Sequence, residues 1–387
     1  MKVYEIATGY TPIPARLPAA TEIVVEGLTR ALLRQGIPAE ILDIRGDRAD
    51  TDLPIREVAV PEWLTGTDAS LGIRHKVRRV VYSVCLAREL RKLLRECEEE
   101  TVLHFHNQYN LFFFLLLVPR RLRRRALAVY TNHSGIWRLP WAEIRGTIHR
   151  RYFQEAVGMK KADAVFVLNE ETRETVRCHL GVPEARITVI GNGVDTDIYR
   201  PLPPEEIKKI QKTLGLSGKT VLLQVGSVCE NKGQIRTLET VAPLLRSGEN
   251  RVYAYAGGIV SEAYHRELLD RARQLGLGDQ VRYLGQVSPG EEMNRLYNMA
   301  AVTVLSSRYE GFPLVTAESL AAGVPVATPF SIGPGCTDTV EEALKHRTEL
   351  SQAARDAALA HLTWDTVAAD YAKKWEEALW RKNSTAR

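Results

Sequence analysis

The sequence contains few cysteines, and they form no recognisable motif. The five cysteines are scattered between positions 85 and 336, and no two are spaced as a Cys-x-x-Cys pair. This spacing excludes a zinc knuckle and a thioredoxin-type redox motif, and it predicts free thiols in a reducing cytoplasm. We find no group of residues with the spacing typical of a metal site, so we expect no bound metal.

Long hydrophobic runs are also missing. The longest apolar run, residues 111–118, has eight residues, whereas a membrane-spanning helix needs roughly 18. The chain opens directly on a strand-like pattern, without the features of a signal peptide. We therefore expect a cytoplasmic protein without a spanning helix, in which residues 111–118 form a fully buried helix or the edge of one.

Neither sign of charge is in large excess. The 52 Lys and Arg residues and the 47 Asp and Glu residues leave a net charge of +5, which is too small to indicate a nucleic-acid-binding protein. Hydrophobic residues make up 45% of the chain and charged residues 26%, which excludes a mainly disordered protein. A length of 387 residues favours two domains.

What the sequence does contain is a long alternation of strand and helix patterns. Six short apolar runs alternate with helical patterns up to about residue 190, and five more follow from residue 220. This alternation predicts two parallel sheets, each covered by helices on both faces. The predicted fold is α/β, with two doubly wound, Rossmann-like domains facing each other across a cleft, where ligands usually bind.

The domain boundaries follow from punctuation in the sequence. Two glycines and an Asn-Gly pair at residues 191–195 end the first series, and a proline-rich stretch follows. We assign residues 1–190 to the first domain and residues 191–363 to the second. Residues 364–387 are predicted as a C-terminal helix that packs back on the body of the protein, with a binding platform as the alternative. Its aromatic and aliphatic face consists of Trp364, Val367, Tyr371, Trp375 and Leu379.

The most informative segment lies between a predicted strand and a predicted helix in the second domain. Residues 307–318 read Ser-Arg-Tyr-Glu-Gly-Phe-Pro-Leu-Val-Thr-Ala-Glu. Pro313 suits the first helical position, and Gly311 lets a ligand approach the backbone. Backbone N–H groups at a helix start attract an anion, and the carboxylates of Glu310 and Glu318 can accept hydrogen bonds from sugar hydroxyls. The alternative is a solvated helix start with capping acids.

The spacing of Glu310 and Glu318 resembles the Glu-x7-Glu motif of the family-four retaining glycosyltransferases, which have the GT-B fold. Further segments resemble the same family and occur in the family's order. They are residues 131–135, 192–195, 225–233, 255–258, 281–285 and 321–326. A lone Glu-x7-Glu spacing arises by chance, but this ordered series over about residues 1–330 does not.

The resemblance implies a hexosyltransferase-type enzyme that moves a sugar from a nucleotide-diphosphate sugar to an acceptor with retention of anomeric configuration. It implies three catalytic residues, with Glu310 at the donor sugar, Lys232 at the leaving diphosphate and His133 opposite, near the acceptor. Glu318 would hold the ribose, and no cofactor is implied, because the nucleotide sugar is a substrate. The other implied donor-binding residues are Gly226, Ser227, Arg282, Tyr283, Leu284, Gly311, Phe312, Pro313 and Leu314.

Three features depart from the family pattern. Ser227 stands where the family has an arginine that shares the diphosphate with the lysine, and Arg236 or Arg16 is a candidate replacement. The loop at residues 14–21 lacks the family's glycines, and the segment after Thr328 is short, so we expect the second sheet to lose an edge strand. Ser227 and the short segment after Thr328 favour, as the alternative function, a nucleotide-sugar-binding pseudoenzyme. An epimerase or phosphorylase on the same fold is a further alternative.

Three basic clusters lie in the first domain, at residues 74–79, 120–125 and 145–151. Such clusters attract anionic lipid surfaces, so we expect peripheral contact with an anionic membrane at its inner face. The alternative is a set of solvated helix faces. The expected partners are the nucleotide-sugar donor and a carbohydrate, lipid-linked or cell-envelope acceptor, without nucleic acid.

His104 and His106 alternate along one predicted strand. Two histidines without a third ligand indicate a metal site only weakly. We therefore interpret both as core residues or as residues at the end of a strand.

Overall fold

The computed structural model describes residues 1–14, 19–64, 73–248 and 250–385. These residues form two compact units, one made of Met1–Gly193 with Trp364–Arg387 and the other of Val194–Thr363. Each unit contains a parallel sheet and its own helices. The α/β fold class predicted from the alternating pattern is confirmed.

The sheet of the first unit is parallel throughout. Its strands are β1 (Lys2–Ile6), β2 (Ala39–Ile44), β3 (Ile55–Val58), β4 (Thr101–Phe105), β5 (Ala126–Asn132), β6 (Ala164–Val167) and β7 (Ile187–Val189). Within the described residues the order is β3-β2-β1-β4-β5-β6-β7. Every residue of β4 and β5 is buried, as expected for central strands covered on both faces. The register places Glu5 of β1 opposite His104 of β4.

The helices of the first unit differ from the prediction at two places. They are α1 (Ala20–Arg34), α2 (Ile73–Glu96), α3 (Gln108–Leu117), α4 (Arg120–Arg123), α5 (Trp141–Arg151), α6 (Phe153–Lys161), α7 (Glu170–Leu180) and the closing helix α15 (Trp364–Thr385). The single helix predicted over residues 141–159 is divided at Tyr152. Of the two alternatives for residues 111–118, full burial is wrong, because only one face of α3 packs on the unit. Leu111 and Phe114 are buried, whereas Leu116 and Leu117 are exposed.

The closing helix α15 buries its apolar face in the first unit. The five residues of this face are between 0% and 8% exposed, and they are Trp364, Val367, Tyr371, Trp375 and Leu379. Gly27 of α1 permits the contact, because a Cβ atom there would lie 2.3 Å from the Trp364 ring. A buried face is unavailable as a binding platform.

The sheet of the second unit is also parallel. Its strands are β8 (Thr220–Val225), β9 (Arg251–Ala256), β10 (Val281–Tyr283), β11 (Val302–Val304), β12 (Val326–Ala327) and β13 (Cys336–Thr337). Among the described residues the order is β10-β9-β8-β11-β12-β13. Both faces are covered, since Val221 and Leu223 of β8 enter one core and Leu222 enters another. The expectation that this sheet loses an edge strand is wrong, because the short segment after Thr328 still supplies β13, which pairs with β12.

The second unit also holds the helices that carry the predicted donor site. They are α8 (Pro204–Thr213), α9 (Gln234–Arg246), α10 (Glu262–Gln274), α11 (Glu291–Met299), α12 (Leu314–Ala321), α13 (Val340–Lys345) and α14 (Arg347–His361). Across the described part of the chain, no helix has both the length and the hydropathy that crossing a membrane requires.

Candidate active site

Several of the predicted donor residues lie in loops at the carboxyl ends of strands in the second unit. Gly226, Ser227 and Lys232 follow β8, and Glu310 follows β11. Because the strands are parallel, these loops meet at one edge of the sheet, the usual ligand-binding edge of such folds.

Two glycines let these loops approach one another closely. Gly233 has a φ of +67°, and a Cβ atom there would lie 2.4 Å from the carbonyl oxygen of Ser306. Gly257 has a φ of +145°, and its Cβ atom would lie 2.1 Å from the carbonyl oxygen of Gly226. A side chain at either position would therefore clash with backbone, so the loops after β8, β9 and β11 depend on these glycines.

Lys232 and Glu310 form an ion pair. The Lys232 Nζ atom lies 2.6 Å from Glu310 Oε1, and the two side chains are 24% and 12% exposed. The buried side chain of Gln224 fixes the lysine backbone by donating to the Lys232 carbonyl oxygen at 2.7 Å, while Tyr253 donates to Gln224 at 2.6 Å. A Cβ atom on Gly226 would lie 3.6 Å from the lysine stem. The structure thus brings Gly226, Lys232 and Glu310 together.

The segment after Glu310 leads into α12, which begins where the sequence predicts it. The helix begins at Leu314, and Pro313 precedes it as the N-cap residue with an extended ψ of 93°. The Pro313 carbonyl oxygen accepts hydrogen bonds from the N–H groups of Thr316 and Ala317 at 2.9 and 3.3 Å. Pro313 thus lies directly before the first helical residue, near the position that the sequence predicts for it.

Two polar side-chain atoms beside the ion pair lack hydrogen-bond partners. The Oδ1 atom of Asn231 and the Oγ atom of Ser307 are buried and have no partner among the residues that the structure describes. The N–H of Arg308 donates to the Asn231 carbonyl oxygen at 2.7 Å, so the two segments are adjacent. Buried polar atoms are normally hydrogen-bonded, and exceptions call for an explanation such as a ligand.

Glu318 is held by two tyrosines that sequence reasoning missed. The Tyr297 hydroxyl donates to Glu318 Oε2 at 2.7 Å, and Tyr199 supplies a second hydroxyl hydrogen bond. Burial raises the pKa of Glu318 to about 7, against the lowering effect of the two hydroxyls. The carboxyl group therefore titrates close to neutral pH.

The residues predicted beside the nucleotide base separate into two groups. The Tyr283 hydroxyl donates to the Gly257 carbonyl oxygen at 2.8 Å, and its ring stacks on Tyr255 with 5.1 Å between centroids. Arg282 is exposed. Leu284 instead packs against the core, as does Phe312 of the loop before α12.

The candidate replacements for the family arginine differ in their positions. Ser227 is exposed, and its carbonyl oxygen accepts a hydrogen bond from Gln234 at 3.0 Å. Arg236 donates to the Ser306 carbonyl oxygen at 2.8 Å, which ties its guanidinium to the loop after β11. Arg308, which sequence reasoning did not single out, is an exposed cation beside the loop of Lys232. Arg16 lies outside the described residues.

His133 belongs to the first unit, where it follows β5 and joins a chain of hydrogen bonds. Its Nε2 atom lies 2.9 Å from His106 Nδ1, and His106 Nε2 lies 2.6 Å from Glu5 Oε2. The same carboxylate oxygen lies 2.9 Å from His104 Nδ1, and His104 Nε2 lies 2.7 Å from Thr131 Oγ1. Glu5, His104 and His106 are buried, as the interpretation of the two histidines as core residues requires.

The positions of the protons in this series of hydrogen bonds follow from the charge of Glu5. Burial alone would raise the pKa of Glu5, but the charge and hydrogen bonds of His104 and His106 outweigh burial and lower it to about 2. Burial lowers the pKa of His106 to about 4, so this ring is neutral near pH 7. A neutral His106 donates its Nε2–H to Glu5, and its Nδ1 must accept from the Nε2–H of His133. Burial also lowers the pKa of His133, so its Nδ1 carries a lone pair.

Glu5, His104 and His106 also meet a simple geometric requirement for a metal ion. One potential ligand atom from each lies within 4.8 Å of the others. The sequence did not reveal Glu5 as a third potential ligand, because Glu5 and His104 are 99 residues apart. All four ring nitrogens of the two histidines are engaged with Glu5, Thr131 or His133, so the arrangement is a hydrogen-bond network.

A second buried carboxylate holds the loop that carries His133. Glu155 accepts hydrogen bonds from the Tyr130 hydroxyl at 2.6 Å, from Asn132 at 2.8 Å and from the Trp137 indole at 2.6 Å. Burial raises the pKa of Glu155 despite these donors. Side chains on both sides of His133 are thereby hydrogen-bonded to α6.

Comparisons with known proteins identify the family of the chain. A family described as Glycosyltransferase Family 4 matches residues 21–198, and one described as Glycosyl transferases group 1 matches residues 206–353. Mannosylfructose-phosphate synthase of Agrobacterium fabrum is 27% identical over 51% of this chain and 47% of its own length. An uncharacterized glycosyltransferase of Methanocaldococcus jannaschii is 24% identical over 84% of this chain and 80% of its own. D-inositol 3-phosphate glycosyltransferase of Thermobispora bispora is 36% identical over 41% and 37%. The chain thus covers 47% of the length of the first of these relatives and 37% of the length of the third.

Solved structures resemble the chain over nearly its whole length. Anabaena HepE in complex with UDP and glucose is 16% identical, with a TM-score of 0.68 over 97% of this chain and 99% of that one. Sucrose-phosphate synthase from Thermosynechococcus elongatus is 18% identical, with a TM-score of 0.73 over 100% of both chains. At these identities the likeness concerns the fold. The two family matches, the ordered motifs and the shared fold together establish that the chain belongs to the family-four glycosyltransferases of the GT-B fold.

Proposed function

We propose that this glycosyltransferase moves a hexose from a nucleotide-diphosphate sugar to an acceptor hydroxyl with retention of anomeric configuration. The observation that carries the proposal is the Lys232–Glu310 ion pair before α12, beside the unpartnered oxygens of Asn231 and Ser307. The transfer needs a cation for the leaving diphosphate and an acceptor group for the sugar hydroxyls. The ion pair supplies both.

Donor binding exchanges the partners of Lys232. The diphosphate gathers negative charge as its bond to the sugar breaks, and Lys232 stabilises that charge together with the backbone at residues 311–314. Glu310, released from the lysine, accepts hydrogen bonds from the sugar hydroxyls. Because protein cations provide the neutralisation, the proposed reaction needs neither a metal nor a cofactor.

The nucleotide occupies the same edge of the sheet. Glu318 accepts hydrogen bonds from the ribose hydroxyls, a role that requires its ionised form. The base lies at the exposed face of the Tyr283–Tyr255 stack, with Arg282 beside it, and the backbone of Gly226 and Ser227 borders the phosphates. The Tyr283 hydroxyl supports this assignment because it joins the end of β10 to the loop after β9.

The Nδ1 lone pair of His133 accepts a hydrogen bond from a hydroxyl group of the donor sugar or of the acceptor. Glu5 acts on His133 through His106 and is therefore a positioning residue. Its ionised carboxylate fixes the tautomer of His106, which in turn fixes the tautomer of His133. This role explains why an ionised carboxylate is buried behind the loop.

We propose a hydroxyl-bearing carbohydrate, free or lipid-linked, as the acceptor of a cytoplasmic enzyme. Two relatives are named mannosylfructose-phosphate synthase and 2-deoxystreptamine glucosyltransferase, and these names point to polar, polyhydroxylated molecules. Contact with an anionic membrane through the basic clusters of the first unit would bring a lipid-linked or cell-envelope acceptor within reach.

The test is a donor and acceptor panel with the purified full chain. UDP-, GDP- and ADP-sugars are incubated with candidate acceptors, release of nucleoside diphosphate is followed, and the anomeric configuration of the product is determined by NMR. UDP-sugars come first, because HepE is described with UDP. Transfer with retention supports the proposal. Nucleotide binding without turnover would favour the pseudoenzyme, and sugar interconversion or phosphate-dependent cleavage would favour an epimerase or a phosphorylase.

A further inference from the structure

A cavity of about 870 Å³ in the first unit is lined mainly by cations. Cavities of this size accommodate small molecules. Besides Lys382, six cationic side chains contribute to its wall, and they are Arg120, Arg123, Arg124, Lys160, Lys161 and Arg186. We refer to it as the basic cavity.

The positive charge of the basic cavity is almost uncompensated. Asp163 is the acidic residue of the described lining, and it already accepts hydrogen bonds from Lys382 at 2.6 Å and from the Ala128 N–H at 2.8 Å. Ion pairs recorded within the described residues include none of the six other cations. Burial, together with the neighbouring charge of Arg120, lowers the pKa of Arg123.

Two of the arginines are held in place by backbone, not by acids. Arg123 donates to the Val118 carbonyl oxygen at 3.0 Å, and Arg186 donates to the carbonyl oxygens of Ala162 and Lys160 at 2.9 and 3.2 Å. The Arg186 Nε atom is buried and has no partner in the described structure. The fold therefore orders cations around a space without supplying the anions that would neutralise them.

The basic cavity is separate from the site of His133. Ala128 lies in the amino-terminal half of β5, Asp163 directly precedes β6, and Arg186 directly precedes β7. His133 follows the carboxyl end of β5, five residues beyond Ala128, and five residues of extended strand span about 17 Å. The two sites therefore occupy opposite edges of the same sheet.

We propose that the basic cavity is a second anion site, which binds a molecule carrying clustered phosphate groups. Six unpaired cations call for several negative charges in a small volume, and arginine forks match phosphate oxygens in pairs. Two sources share this chemistry, a soluble diphosphate compound and the phosphomonoester headgroup of a lipid. The exposed side chains of Leu116 and Leu117, next in sequence to the apolar lining residue Leu115, give a membrane surface an apolar contact as well.

The soluble source is tested by calorimetric titration of pyrophosphate into the full chain. The titration uses the Lys232→Ala background, so that the donor site does not contribute. Arg124→Gln/Lys160→Gln, which removes two exposed cations of the lining, should weaken binding at least tenfold. The matched control, Arg121→Gln/Lys373→Gln, removes two exposed cations outside the cavity and should leave affinity within twofold.

The lipid source is tested by sedimentation of the same proteins with phosphatidylcholine vesicles that contain or lack phosphatidic acid. Loss of vesicle binding in the cavity variant, but not in the control, assigns a lipid headgroup to the cavity. Equal loss in both variants would identify a diffuse charged face and overturn the proposal. Absence of binding to both pyrophosphate and vesicles would overturn it as well. When Lys232 is left unchanged, the cavity variant should keep normal donor turnover. Loss of anion binding at the basic cavity is therefore distinguishable from failure of the proposed transferase reaction.

Discussion

At the scale of single residues, the donor site depends on charges that must change partners. The ion pair of Lys232 and Glu310 is short, yet both side chains retain some solvent contact. Removing one partner leaves the other charge partly buried and unpaired, which destabilises a fold. The folding of each variant is therefore measured by circular dichroism alongside its turnover.

We expect Lys232→Ala to abolish measurable donor turnover, because Ser227 leaves the lysine with a large share of the diphosphate charge. Glu310→Ala should lower turnover at least about tenfold, which corresponds to about 1.4 kcal/mol of activation free energy.

Ser227→Arg should preserve or raise donor affinity. Turnover and calorimetric titration of nucleoside diphosphate measure these effects, with Lys208→Ala as control, since Lys208 pairs with Glu205 in an exposed ion pair. Near-normal turnover in Glu310→Ala would contradict the site assignment.

Glu318 makes nucleotide binding depend on pH. Its pKa is raised to about 7, whereas ribose binding uses the ionised carboxylate, so affinity should fall as the pH drops from 8 to 6. The raised pKa has the opposite consequence for folding. The protonated form stabilises the protein at pH values below about 4.5, and this contribution is lost as the pH rises through 7.

Glu318→Gln should remove both dependences, because the amide does not titrate. Calorimetric titration at pH 6 and pH 8 compares the variant with the natural chain in the same buffers, which cancels the titration of the nucleotide itself. An identical pH dependence in the two proteins would show that another group is responsible.

Glu5 acts without contacting a ligand. It fixes which ring nitrogens of His106 and His133 carry protons. Glu5→Gln should lower kcat about tenfold with little change in KM, since the neutral amide no longer fixes the tautomers of His106 and His133. The ¹⁵N chemical shifts of the imidazoles report the tautomers directly. Glu40→Gln on the neighbouring strand, which removes a carboxylate paired with Lys2 and Arg56, is the control. Unaltered imidazole shifts in Glu5→Gln would refute the positioning role.

At the scale of elements, tolerance for a side chain is decided by packing rather than by helix propensity. Gly27 in α1 and Gly146 in α5 both occupy helix interiors. A Cβ atom on Gly27 would lie 2.3 Å from the Trp364 ring, whereas one on Gly146 has nothing within 4 Å. The two positions form a matched pair.

We expect Gly146→Ala to raise the free energy of unfolding by up to about 1 kcal/mol, because alanine has a higher helix propensity than glycine. Gly27→Ala should lower it by about 1–3 kcal/mol, because the methyl group forces α1 and α15 apart. Urea unfolding of both variants measures the difference. Equal stabilisation by the two substitutions would mean that α15 does not pack on α1 as described.

The sequence predicts most of these elements because buried parallel strands and amphipathic helices have strong periodic patterns. It misses β3, where only Val58 is buried, and β13, which is two residues long. Neither has enough apolar residues for a recognisable pattern. In the candidate site, the loops of Lys232 and Glu310 carry a motif, so they could be found. The Glu5–His106–His133 chain could not, because it depends on the pairing of β1 with β4, nearly a hundred residues apart.

At the scale of the whole molecule, the two units differ in how the chain builds them. The second unit is one continuous stretch, Val194–Thr363, whereas the first requires two, Met1–Gly193 and Trp364–Arg387. Helix α15 completes the first core, and its Tyr371 hydroxyl lies 3.1 Å from Thr131 Oγ1 in the network behind His133. The first unit therefore needs the end of the chain for both its stability and its site.

Dissecting the chain tests this difference. A fragment of residues 194–363 should fold alone and bind nucleoside diphosphate in a manner that Lys232→Ala eliminates, because its cores and donor loops are continuous. Residues 1–193 alone should not unfold cooperatively, because removal of α15 exposes the core around Trp375, which is 0% exposed in the intact unit. Gly193 lies against Trp364, and a Cβ atom on the glycine would be 2.9 Å from the Trp364 Cα, so a short Gly-Ser linker can join residues 1–193 to 364–387. That joined chain should regain a cooperative urea transition by circular dichroism. A cooperative transition in residues 1–193 without α15 would show that the closing helix is dispensable for the first core.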